Sequence, residues 1–115
     1  MAACGIDLIL NAEVSGTTST QIGSARILTG SNTYAAFRLM MGTSTTATAS
    51  LSIKRFTGGS TISTITGSGI GLQDISSSGQ TIAALGLVDD WYDFYASGSG
   101  ATISTLVKGI KVTLY

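Results

Sequence analysis

Histidine and proline are absent from this 115-residue chain, cysteine occurs once, and charged residues make up only 10% of it. Each shortage excludes something. Without histidine the commonest general base is missing, and neither a Ser-His-Asp nor a Cys-His arrangement can be built. A lone Cys4 leaves no intrachain disulfide and, with no histidine beside it, argues against zinc, haem or copper. The six basic residues, Arg26, Arg38, Lys54, Arg55, Lys108 and Lys111, are scattered. They form no basic stripe for phosphates, so nucleic acid is not an expected partner. No run approaches the roughly 18 apolar residues of a membrane span, so no membrane partner is expected either. The N-terminus shows no basic region followed by an apolar segment and a cleavage site, so no secretory signal is read. Together these features suit a protein made and folded in a cytoplasm, with no cofactor.

What replaces the charge is hydroxyl. The chain holds 17 Thr and 16 Ser, and its formal net charge is zero. Typical soluble domains carry about 25% charged residues. A monomer with few charges and no net charge is expected to self-associate. The physical reading is a surface covered by copies of the same chain or by a partner lattice. The alternative is a soluble monomer wetted by its hydroxyls. Residues 1–115 are expected to form one β-sandwich domain. Within it, Met1–Gly5 is either ordered or an arm that docks on a neighbour.

Alternation dominates the chain. Ile6, Leu8, Leu10, Ala12 and Val14 oppose Asp7, Asn11 and Glu13, a half-buried strand. Ser15–Thr18 reads as a turn and 21–29 as a second strand, with either Ile27 or Leu28 inward. After a turn at Gly30–Asn32, residues 33–41 are apolar on both faces and read as a central or interfacial strand. Gly42–Thr45 should close it. Residues 46–56 alternate again, Gly58-Gly59 turns the chain, and 60–66 is a short strand. Gly67–Gly79 reads as a long loop with one short strand. In the last element, 101–115, inward parity switches at Gly109, the mark of a β-bulge. Eight to nine short strands without alternating helices predict an all-β antiparallel sandwich, jelly-roll-like, with an immunoglobulin-like sandwich as the alternative. With proline absent and lysine scarce, edge strands lack the usual blunting residues, which again points to edges covered by neighbours.

One stretch stands apart: Leu87-Val88-Asp89-Asp90-Trp91-Tyr92-Asp93-Phe94-Tyr95. It holds the one tryptophan, two of four tyrosines and half of the six acids. As a strand it sends Tyr92, Phe94 and Ala96 to one side and Trp91, Asp93 and Tyr95 to the other. As a helix it would group Val88, Trp91, Tyr92 and Tyr95. Aromatics fit a pleated surface and Gly98 and Gly100 soon end the run, so the strand is preferred. Rings separated by a carboxylate resemble a sugar-binding surface, where rings stack on pyranose faces and the acid accepts hydroxyl hydrogen bonds. Trp91, Tyr92, Tyr95, Asp93, Asp89 and Asp90 are therefore the candidate binding residues, for a glycan or for an interface. The plainer reading makes Trp91 a core or interface anchor and puts the acids in a solvated turn.

Catalytic readings are thin. Asp89 with Asp93, or Glu13 with Asp7, is a conceivable glycosidase pair, but so short a chain has little room for the cleft, and no enzyme is expected. Gly67-Ser68-Gly69-Ile70-Gly71 lacks the helix and lysine of a nucleotide loop. Asp89, Asp90 and Asp93 offer hard oxygen ligands to calcium without an EF-hand loop, and no metal site is assigned.

The whole chain, free of proline, rich in Ser, Thr and Gly, and ending in the strand Gly109-Ile110-Lys111-Val112-Thr113-Leu114-Tyr115, resembles small virion structural proteins of tailed bacteriophages. Head decoration (cement) proteins and β-sandwich modules of tail fibres are the particular likeness. The resemblance implies a protein made in the host bacterial cytoplasm and located in the virion. It implies a homo-oligomer, often a homotrimer, on a capsid or fibre protein, bracing its neighbours without chemistry. The rival readings are a lectin-like or receptor-binding module using the exposed aromatics, and a fimbrial or surface-layer subunit.

Overall fold

The computed structural model describes residues 4–44, 47–68, 70–77 and 79–115. Among them the chain forms β1 (Cys4–Ser15), β2 (Thr20–Ile27), β3 (Tyr34–Thr43), β4 (Thr48–Arg55), β5 (Thr61–Ser68), β6 (Gly71–Ser76) and β7 (Gln80–Thr81). One helical turn, α1 (Ile82–Leu85), precedes β8 (Asp90–Gly98) and β9 (Ser104–Leu114). Two sheets result, in the orders β1-β9-β3-β6, with β7 on β3, and β2-β8-β4-β5. The antiparallel pairs β4/β5, β3/β6, β2/β8 and β1/β9 are the rungs of one long hairpin whose tip is the Gly58-Gly59 turn. Rolling that hairpin up adds β4/β8 and β3/β9 and produces a jelly roll, rather than the immunoglobulin-like alternative.

The alternation read from the sequence sets the core. Phe37, Leu39, Met41, Val107 and Val112 of the first sheet face Leu51, Ile53, Tyr92, Phe94 and Ala96 of the second, each at most 3% exposed. Burial of this kind stabilises by about 25 cal/mol per Å² of apolar surface. In β2 the inward residue is Ile27, fully buried, while Leu28 is exposed. The parity switch in β9 is present: Thr105 and Val107 are buried, then Ile110, Val112 and Leu114. Between them β9 carries an extra residue opposite β3, which pairs Met40 with Gly109 and Met41 with Val107. Gly109 does not have positive φ, so this bulge places no backbone demand on glycine.

Two expectations change, and an open one is answered for Cys4 and Gly5. Gly42 is not a turn residue: β3 continues to Thr43, and Gly42 is buried because the backbone of Gly71 passes where its Cβ would be, 1.7 Å from the Gly71 oxygen. The supposed long loop at Gly67–Gly79 is mostly strand. β5 reaches Ser68, and β6 pairs along β3 from Arg38↔Ser76 to Thr43↔Gly71. Cys4 and Gly5 belong to β1, opposite Leu114 and Thr113, rather than to an arm. Met1–Ala3, Thr45, Thr46, Gly69 and Ser78, which parts of those readings covered, lie outside the described residues. No helix among the described residues is long and apolar enough to cross a membrane.

Candidate functional site

β8 lies between β2 and β4, so its outward residues sit mid-sheet. Trp91, Asp93 and Tyr95 point outward, while Tyr92, Phe94 and Ala96 are fully buried. Tyr92 therefore drops out of the candidate surface. It is a core residue whose hydroxyl donates to the Val88 carbonyl at 2.8 Å and accepts from the Val88 amide at 3.0 Å. Trp91 is half exposed, at 51%.

Phe56, which the sequence did not single out, joins Trp91. Its amide donates to the Trp91 carbonyl at 2.9 Å, and its ring is 68% exposed just past the end of β4. Gln21 and Ser24 on β2 complete an open hollow of about 460 Å³ lined by Gln21, Ser24, Phe56, Trp91 and Asp93. Gln21 Nε2 donates to Asp93 Oδ1 at 3.2 Å. Tyr95 lies one pair further along β8, with Lys54 Nζ 4.7 Å from its ring centroid. Such an exposed cation–π contact is worth about 0.5–1 kcal/mol. Two rings, an amide, a hydroxyl and a carboxylate thus share one face.

Asp89 and Asp90 have other work. Asp89 Oδ1 accepts from the Thr29 amide at 2.8 Å and the Thr29 hydroxyl at 2.9 Å, tying the β2–β3 turn to the approach of β8. Those bonds hold its carboxyl below the usual range. Asp90 accepts from Arg55 Nε at 2.8 Å and from the Trp91 amide at 2.8 Å. The Arg55 guanidinium, then Thr57, lowers its carboxyl to about 2. The three acids of the stretch therefore serve three separate partners. No group of three or more His, Cys, Asp or Glu converges among the described residues.

A second exposed patch occupies the outer face of the first sheet. Ile9 is 93% and Met40 44% exposed, on either side of Gly109. Arg38 Nε donates to Asp74 Oδ1 at 2.9 Å nearby, an exposed pair that holds the Asp74 carboxyl down.

No protein-family model matches the sequence, and no curated protein matches it. Solved structures do. The chain is similar to a chain of the infectious bursal disease virus Gx strain structure, with a TM-score of 0.63 and 11% identity over 99% of this chain and 32% of that one. It is also similar to the CBM36-1 domain of a multidomain xylanase from the hindgut metagenome of Trinervitermes trinervoides, with a TM-score of 0.59 and 10% identity over 96% of both chains. A third similar structure is the carbohydrate-binding module CBM36 in complex with calcium and xylotriose. There the TM-score is 0.57 and the identity 13%, over 93% of this chain and 97% of that one. The chain spans about a third of the bursal-virus chain it matches. At these identities the likeness is one of fold: a jelly roll found in a viral particle and in carbohydrate-binding modules alike.

Proposed function

We propose that this chain is a non-enzymatic structural protein of a virion, assembling through its exposed sheet faces with copies of itself and with a capsid or fibre protein. The observation that carries the reading is Ile9. It is a large apolar side chain, 93% exposed in mid-strand, on a sheet face that also exposes Met40 across Gly109, so this face offers apolar surface to a neighbour. With charged residues at 10% and net charge zero, little on this surface opposes association. The jelly roll shared with the bursal-virus chain supports the same reading. Decoration of a tailed-phage head, by proteins made in the bacterial cytoplasm, stands ahead of a place in a tail fibre. The mechanism is area: strand faces buried between neighbours brace the shell, with no catalytic step. Co-sedimentation of the purified chain with empty tailed-phage capsid shells tests it. Saturable binding is expected, and a free monomer that ignores shells and fibres would overturn it.

The hollow of Phe56, Trp91, Asp93, Gln21 and Ser24 favours a second reading, glycan binding, since two exposed rings flanked by acceptors suit a stacked pyranose. The fold shared with carbohydrate-binding modules supports it. A titration with neutral oligosaccharides, followed by Trp91 fluorescence, checks it. A shift abolished by Phe56→Ala is the expected result for this reading, and an unchanged spectrum across the panel removes it.

A further inference from the structure

We propose that the β1 and β9 part of the first sheet's outer face is a twofold interface with a second copy of this chain, in which Ile9 of each copy sits over Gly109 of the other. The proposal rests on the assembly reading and names its partner and surface.

The face has a knob beside a hole. Ile9 is the direct cross-strand partner of Gly109, and Met40 is the partner of Gly109 on its other side. Gly109 lies on the floor of a shallow hollow of about 450 Å³, which Ile9 and Met40 also line and which Asp7, Arg38, Asp74 and Lys111 rim. Glycine is not imposed there by the backbone. Its φ is not positive, and an added Cβ would meet only the Leu8 carbonyl oxygen, at 3.4 Å. The hollow is thus a feature of the surface and not a consequence of strain.

The charges on the face are balanced. On its β1 and β9 strands Asp7 and Glu13 stand with Lys108 and Lys111, zero in sum. A face of both signs with no net charge complements itself, which is what an isologous contact needs. A twofold axis lying in the interface and running between β1 and β9, parallel to both, exchanges the two strands. Each directly paired position then swaps. Ile9 lands over Gly109 of the second copy, between that copy's Ile9 and Met40, and Asp7 lands over its Lys111.

Size sets the strength. Two strands spaced ~4.8 Å apart and about 37 Å long overlap by roughly 350 Å² per copy, less than a stable free dimer needs, so the contact by itself is weak and reversible. On a lattice, where other contacts hold the copies together, a weak contact acts at high effective concentration. The pair is twofold, not the trimer that the resemblance to decoration proteins implied.

Sedimentation velocity on the full chain, from about 10 μM to about 1 mM, tests this, because a contact of that area needs high concentration. A dimer is expected to grow in with concentration. Ile9→Ser alters a side chain that touches little of its own chain, and Asp7→Lys sets like charge against Lys111. Each should weaken the dimer by about tenfold or more. The double swap Asp7→Lys with Lys111→Asp should restore it. Assembly that ignores Ile9→Ser and Asp7→Lys, or that closes as a trimer, overturns the inference and leaves the assembly reading intact. A monomer throughout that still co-sediments with capsid shells also overturns the inference alone, whereas a monomer that binds nothing overturns both.

Discussion

The Tyr92 hydroxyl closes a two-way bond with the backbone of Val88, donating to its carbonyl at 2.8 Å and accepting from its amide at 3.0 Å. The ring is fully buried in β8, so this one side chain fixes where the turn ahead of the aromatic strand lies relative to the core. Tyr92→Phe keeps the packing and strips both bonds from Val88. A loss of about 1–2 kcal/mol is expected, read as a lower urea midpoint with an unchanged slope. A variant as stable as the parent would show that the hydroxyl holds nothing.

Asp90 makes acid stability a test of the Arg55 contact. Its folded-state carboxyl is lowered to about 2 from 3.8, first by Arg55. A depressed carboxyl stabilises the fold above its unfolded value, and the contribution is lost as pH falls through the folded value. Asp74 and Asp89 are lowered too and act in the same direction. Stability should therefore drop between about pH 4 and about pH 2, and Asp90→Asn should flatten that drop. Parallel curves for parent and variant would contradict the assignment.

Gly42 is a contact point between backbones. A Cβ there would lie 1.7 Å from the Gly71 oxygen, and neither chain can yield without breaking the β3–β6 pairing. Gly42→Ala is expected to destabilise by about 2 kcal/mol or more. Thermal melts of the two proteins check this, and equal melting temperatures would refute it.

Thr105 is fully buried, and its hydroxyl has no hydrogen-bond partner among the described residues. Replacing it with an apolar group of the same shape removes a desolvation cost without opening a void. Thr105→Val should stabilise by about 1 kcal/mol. A destabilised variant would mean that the hydroxyl is satisfied.

The sequence was most legible where one sheet face is buried. The alternation of Ile6 to Val14, of Tyr92, Phe94 and Ala96, and the parity switch at Gly109 all follow from period-two burial, and all recur in the structure. It was least legible where that pressure is weak. β6 is exposed along most of its length, so Leu72 to Asp74 carry no inward face and their Ser- and Gly-rich flanks read as loop. Gly42 looked like a turn because a close backbone approach leaves the same residue type behind as a bend does. Phe56 could not be tied to Trp91 because they are distant in sequence and are brought to one hollow by the pairing of their strands. The six binding candidates shared a sequence stretch but not a surface. Trp91, Asp93 and Tyr95 face outward, Tyr92 is core, and Asp89 and Asp90 tie loops and strands together.

If the chain associates through its exposed strand faces, its mass in solution must depend on concentration. Light scattering from about 10 μM to about 1 mM spans the range in which weak contacts appear, and repeating it at low and moderate salt reports the share of charge in them. A mass that rises above the 11.7 kDa of one chain with concentration is the expected result. A mass of 11.7 kDa at every concentration and salt, in a chain that also fails to bind capsid shells, would contradict association.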